Sequence, residues 1–243
     1  MIPARYAATR FPAKLMQKLG NKPVIRHTYD GAVATGLFDE VIVVTDSPII
    51  YQEIIENGGK AMMSRNQHES GSDRIAEAAA DMKVDIIVNV QGDTPFVNRD
   101  PLEKLLMQFD DPSVKVASLV QPLVEQKEIE DPNFVKVVMD GQMNAIYFSR
   151  SVIPFPRDNS APVTYYEHIG IYAFRKQALL DFTAWPVTPL EAIEKIECLR
   201  YLENGVPVRM AVVAYMGIEI DTPDDLKKAS ELIEANIKKL AKR

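Results

Sequence analysis

Two uninterrupted apolar runs do most to restrict the folds open to this chain. Residues 40–46, EVIVVTD, and 84–93, VDIIVNVQGD, carry apolar side chains on consecutive rather than alternate positions, the pattern of a strand covered on both faces. Helical patterns surround them. GNKPVIRHTYDGAVATG has Pro23 near its start and Gly36 at its end, which reads as a helix. Ser47 and Pro48 open a second helix that Gly58 and Gly59 close, KAMMS is a short strand, and SDRIAEAAADM is a third helix. Alternation of this kind over residues 1–110 predicts an α/β fold with a mainly parallel sheet flanked by helices, because parallel neighbours need crossover connections. Ligands of such sheets sit beyond the carboxyl ends of the strands. Only Met1 and Ile2 precede Pro3, so the first strand is expected to be cut short in this numbering.

The middle of the chain changes character. NFVKVVMDGQMNAIYFSR holds two strand-like runs around Asp140-Gly141, a dipeptide that favours the positive backbone angles of a tight hairpin. HIGIYAFRKQALLDFTAW reads as strand then helix, PLEAIEKIECLRYLENG as one amphipathic helix ended by Gly205, and VPVRMAVVAYM as a strand. A last helix is expected from about Pro223 toward Lys239. No repeat or linker divides the sequence, so the expectation is one domain over residues 1–243 with an antiparallel extension at about 133–175.

Composition excludes several classes. The 243 residues suffice for a substantial core. With 28 Lys and Arg against 34 Asp and Glu, a net charge of −6, no broad basic surface exists to bind a nucleic-acid polymer. Cys198 is the only cysteine, which rules out an intramolecular disulfide, and the few His residues are too scattered for a zinc site. No apolar run approaches the roughly 20 residues of a membrane span, and no signal-peptide pattern is present. The expected setting is the cytoplasm, without membrane insertion.

Four stretches carry candidate chemistry. IPARYAATRFPAK sets Arg5, Arg10 and Lys14 among small residues; arginine forks and a lysine point charge suit phosphates, although the stretch matches neither GxxxxGK[ST] nor GxGxxG. A solvated basic turn uses the same residues. In VNVQGDTP, Gln91, Gly92 and Asp93 follow an apolar strand; Gly92 permits close approach of a ligand to the backbone, and an ordinary polar turn would also use it. In GIEIDTPDDL, Thr222, Pro223, Asp224 and Asp225 suit a helix start, which leaves Asp221 over. If Asp221 meets Asp93 at the strand ends, two hard oxygen donors can hold Mg²⁺, with phosphates and water as its other ligands. YFSRSVIPFPRD and EHIGIY offer Arg150, Arg157 and His168 to an acidic, hydroxylated substrate, or to the surface.

In chain order, IPARYAATRFPAK, VTD, SGSDRIAEA, VNVQGDTP, VKVVMD, YFSRSVIPFPRD, HIGIY and IDTPDDL resemble the 3-deoxy-manno-octulosonate cytidylyltransferase (CMP-KDO synthetase) family. The resemblance covers nearly the whole chain, with sialic-acid synthetases as more distant relatives. It implies a single nucleotide-diphospho-sugar transferase-like domain whose antiparallel extension makes a homodimer. It also implies transfer of CMP from CTP to the anomeric hydroxyl of 3-deoxy-manno-octulosonate (KDO), with release of pyrophosphate, for lipopolysaccharide biosynthesis. By the same resemblance Arg5, Arg10 and Lys14 hold the phosphates of CTP, and Ser70, Gly71, Ser72, Arg74 and Gln91 face the nucleotide. Asp93 and Asp221 match the magnesium ligands, and Arg150, Arg157, His168, Tyr172 and Glu197 shape the sugar pocket. Three positions depart from the family pattern: Ala13 replaces a usual Gly, Thr94 a Glu or Gln, and Cys198 a Gln. These departures keep an amino-KDO acceptor, or nucleotide binding without catalysis, as alternatives. A metal-dependent glycosyltransferase would normally want a DxD pair, and Asp93 is followed by Thr94 and Pro95.

Overall fold

The computed structural model describes residues 1–7, 11–68, 70–158, 162–214 and 216–240, with side chains through residue 235. Its first elements are β1 (Ile2–Ala4), β2 (Lys18–Leu19), β3 (Lys22–Pro23), α1 (Val24–Ala34), β4 (Val43–Thr45), α2 (Pro48–Glu56), β5 (Ala61–Met63), α3 (Gly71–Ala79) and β6 (Ile86–Asn89). There follow α4 (Arg99–Met107), β7 (Val116–Leu123), α5 (Gln126–Glu130), β8 (Lys136–Met139), β9 (Ala145–Ser149) and β10 (Tyr165–Arg175). The chain continues with α6 (Lys176–Ala184), α7 (Pro189–Glu194), α8 (Leu199–Glu203), β11 (Val208–Val212) and α9 (Pro223–Leu240). It groups into two compact units. The first comprises Met1–Met82, Asn89–Arg99 and Gly217–Arg243, and the second Lys83–Val88 and Asp100–Met216.

In the first unit the parallel strands run in the order β1-β4-β5, with Ile2 opposite Val43 and Val43 opposite Ala61. Ile2, Val43, Val44, Ile50, Ile54 and Ile75 are buried between sheet and helices, as the consecutive apolar residues require. Local chemistry sets the helix ends. Pro23 caps α1 in an extended conformation, the Ser47 hydroxyl accepts from the Ile50 amide at the start of α2, and Gly36 and Gly58 take the positive φ that ends each helix.

The second unit is built on a six-stranded sheet, ordered β11-β7-β10-β8-β9 with β6 also paired to β10. The β10 strand is its centre, antiparallel to β7 and to β8, and β7 lies between it and the parallel β11. The expected hairpin forms between β8 and β9, but its turn is longer than a two-residue Asp-Gly loop. Asp140 accepts hydrogen bonds from the amides of Gln142 and Asn144, each 2.8 Å, and Met143, not Gly141, takes positive φ. The side-chain acceptor organises the loop, so the glycine is not needed for it.

The amphipathic segment expected as one helix is two, α7 and α8. Lys195 turns left-handed at the end of α7, and the reversal lets Arg200 fold back on Glu191. That pair is buried and bidentate, at 2.7 and 2.6 Å, while the guanidinium stacks 3.9 Å over the Phe182 ring and donates to the Phe182 carbonyl. A buried charge stripped of its partner is far more costly than the intact pair is stabilising. Glu191→Ala is therefore expected to lower the unfolding free energy by about 3–5 kcal/mol, read from denaturant midpoints against the parent chain.

Candidate functional site

Three segments of the first unit meet at Lys14. Ala13, in the left-handed region at φ 51, turns the basic loop into a short 3-10 turn that begins with Lys14. Asp93 lies in the turn beyond β6, where the Thr94 amide donates to the Gln91 carbonyl and the Thr28 hydroxyl to the Gly92 carbonyl. A Cβ on Gly92 would stand 3.1 Å from the Pro3 carbonyl and 3.2 Å from the side chains of Leu15 and Ile25. The close approach that glycine permits here is thus to the protein's own core. The Ile220 amide donates to the Asp93 carbonyl at 2.9 Å, which brings the next residue, Asp221, alongside. Asp225 then accepts from the amide and the hydroxyl of Thr222 and from the Asp221 amide, the capping arrangement expected at the start of α9.

The Lys14 ammonium donates to Asp93 Oδ2 and, at 2.7 Å, to Asp221 Oδ1. Burial alone would lower the Lys14 pKa, but the two carboxylates outweigh it and hold the group above its usual value. Asp93 is buried, and its Oδ1 has no hydrogen-bond partner among the described residues. Two carboxylates therefore converge on one cation with an acceptor oxygen to spare. Among the described residues there is no cluster of three or more acidic, His or Cys side chains that could hold a metal alone.

The residues expected around the nucleotide gather at the start of α3. Ser70 caps the helix, accepting from the Asp73 amide at 3.1 Å and donating to the Asp73 carboxylate. A Cβ on Gly71 would lie 3.0 Å from the Pro3 ring and 3.8 Å from Gln91 Oε1, so the helix start is packed against β1 beside the Gln91 amide. Ser72 is buried. Arg74 is buried too and committed within the protein: it donates to Ser64 Oγ at 2.7 Å and Asp46 Oδ2 at 2.8 Å. Asp46 and Ser64 directly follow β4 and β5, and an acid immediately after a parallel strand was the signal that would have singled out Asp46. Arg5 follows β1 and is exposed; Arg10 lies outside the described residues.

The cytidylyltransferase family model matches residues 1–234. A 3-deoxy-manno-octulosonate cytidylyltransferase of Flavobacterium johnsoniae is 58% identical over 236 residues, 96% of this chain and 97% of the relative. One from Christiangramia forsetii is 54% identical over 96% of this chain and 95% of its own length. The chain belongs to the 3-deoxy-manno-octulosonate cytidylyltransferase family. A solved CMP:2-keto-3-deoxy-manno-octonic acid synthetase complexed with CTP superimposes with a TM-score of 0.92 at 39% identity, covering 97% of both chains. A 4-diphosphocytidyl-2C-methyl-D-erythritol synthase from Anaerococcus prevotii shares the fold at a TM-score of 0.64 and 16% identity. The α/β architecture expected from sequence is the fold of this family.

The side chains that the cytidylyltransferase resemblance gave to the sugar lie in the second unit. His168 is buried on β10, 3.0 Å from Ser118 Oγ, in a row of rings with Phe148 and Tyr172. Tyr172 is buried as well and hydrogen-bonds the Cys198 thiol, whose pKa burial pushes up far beyond the range of a reactive thiolate. Glu197 is half-buried. Arg150 donates to the carbonyls of Glu194, at 2.7 Å, and Pro132, at 2.9 Å, so its guanidinium braces the end of α7. Arg157 is exposed. No helix among the described residues is long and apolar enough to cross a membrane.

Burial pushes the His168 pKa down to about 3 from an ordinary 6.5. Between these values the unfolded chain binds a proton that the folded chain refuses, so stability is full above pH 6.5 and is lost as pH falls from 6.5 toward 3. Unfolding curves from pH 7 to 4 are expected to show this loss, and His168→Gln to reduce the proton uptake on unfolding by up to one.

Proposed function

We propose that this chain transfers CMP from CTP to the anomeric hydroxyl of KDO, releasing pyrophosphate and forming CMP-KDO for lipopolysaccharide biosynthesis. The observation that carries the reading is the full-length match to relatives of that name and to a synthetase holding CTP. In the reaction the hydroxyl oxygen bonds to the α-phosphorus as the bond from that phosphorus to the α,β-bridging oxygen breaks; the hydroxyl proton passes to water, and pyrophosphate leaves with the bridging oxygen.

Asp93 and Asp221 would hold Mg²⁺. The fit rests on the unpartnered Asp93 Oδ1 and on two carboxylates already converging on a cation, a donor set that suits an ion taking its remaining ligands from phosphate and water. When bound, the ion supplies charge neutralisation at the reacting phosphate oxygens. Lys14 is a cation at neutral pH, as an ordinary lysine is, and its ammonium can turn to a phosphate oxygen. Exposed Arg5 adds a fork for the leaving pyrophosphate. Both side chains offset the charge that grows as the anhydride bond breaks.

Pyrophosphate release from CTP with Mg²⁺ is to be measured with KDO, an amino-KDO analogue, sialic acid and no acceptor. Release that depends on KDO is expected; CTP binding without release under every condition would refute the transferase. Asp93→Asn is expected to lower kcat at least about a hundredfold with the fold intact, and near-normal turnover would remove Asp93 from the metal role.

The protein is also proposed to act in the cytoplasm as a homodimer, through the extension at about 133–175. Ile146 on β9 and Phe155 beyond it are 60% and 83% exposed, apolar surface of the kind that a second copy would cover. Sedimentation should give twice the chain mass, and Ile146→Glu should shift the equilibrium toward the monomer.

A further inference from the structure

A single carboxylate gathers the loop that leads into α3. Glu77 Oε1 accepts from the Arg65 amide at 2.7 Å, and Oε2 accepts from the Asn66 amide at 3.2 Å and from Asn66 Nδ2 at 2.7 Å. His68 Nε2 lies 3.1 Å from the same oxygen. Burial would raise the Glu77 pKa, but these donors outweigh it and hold the carboxyl below its ordinary range. One helical turn earlier, Arg74 holds Ser64 at the start of the same loop. Arg74 and Glu77 thus present one polar face of α3 to the chain before it, and between them they hold Ser64, Arg65, Asn66 and His68.

Two positions after His68 comes Ser70, which caps α3, and then Gly71, where a Cβ would stand against Pro3 and near Gln91. The tether and the helix start share one element, since Glu77 and Arg74 stand on α3 itself. No other acid is bound into this loop by so many donors among the hydrogen bonds described for residues 64–68. A carboxylate suits this place chemically, since the two amides and Asn66 Nδ2 all bring N–H groups and two acceptor oxygens receive them. A glutamine has one oxygen, and its NH₂ would face donors.

We propose that Glu77 is a positioning residue for nucleotide recognition, its carboxylate holding residues 65–68 so that the start of α3 keeps the shape that receives CTP. This rests on the cytidylyltransferase reading above and on the resemblance that sets Ser70, Gly71, Ser72 and Arg74 against the nucleotide. The role is separate from the metal dyad, in which Glu77 takes no part, and so predicts an effect on CTP affinity rather than on the chemical step.

The test compares the parent chain with Glu77→Gln and Asn66→Ala in steady-state pyrophosphate release, together with hydrogen exchange at the Arg65 and Asn66 amides. Glu77→Gln is expected to raise KM for CTP about tenfold and leave kcat within about twofold, with KM for KDO unchanged. Asn66→Ala, which removes one side-chain donor, should raise KM for CTP about threefold and carries the test if Glu77→Gln fails to fold. Both amides should exchange faster in Glu77→Gln. An unchanged KM for CTP, or a fall in kcat alone, overturns the proposal. Failure of the parent chain to use CTP is a different result: it removes the functional reading itself, and this role with it.

Discussion

The ammonium of Lys14 is the contact on which the first unit's site depends. Residues 14, 93 and 221 are remote in sequence, and two carboxylates brought together would repel: unit charges 4 Å apart interact by about 4 kcal/mol at an effective dielectric of 20. One lysine turns that repulsion into attraction, with a hydrogen bond to each acid. The backbone reinforces it where Ile220 donates to Asp93 and where Asp225 caps the turn after Asp221. Under the proposed reaction, Lys14 would exchange these carboxylate oxygens for those of the incoming triphosphate.

Much of this architecture could be read from the residues. Continuous apolar runs marked β4 and β6, Pro23 and Gly36 bounded α1, and Ser47-Pro48 and Thr222-Pro223 opened helices where hydroxyl caps stand. Asp221 was visible because capping chemistry explained its neighbours and not itself. Elsewhere local signals failed for identifiable reasons. The interior β7 strand escaped because Ser118, Gln121 and Pro122 interrupt both a continuous and an alternating pattern; its stability comes from neighbours on both sides. The break at Lys195 has no glycine to announce it, and the fold-back is driven by the buried Glu191–Arg200 pair, a contact between residues 9 apart in sequence.

Site residues were legible as types and less so in their commitments. A sequence can show that Arg74 or Arg150 is available to bind something anionic, but not that Asp46, or the carbonyls at the end of α7, already hold it. His168 is the reverse case. Its place on β10 was evident, whereas the aromatic row that strips it of water, through Phe148 and Tyr172, is assembled from two strands. Buried in this way the imidazole serves as a neutral hydrogen-bonding group at physiological pH, not as a charge.

Ala13 stands at φ 51, where a side chain costs roughly 1–2 kcal/mol and glycine would cost almost nothing. A glycine there would relieve the strain, because it reaches positive φ without a steric penalty. The turn into Lys14 is therefore held against the local preference of its own residue, and what holds it is the contact of the next side chain with two carboxylates remote in sequence.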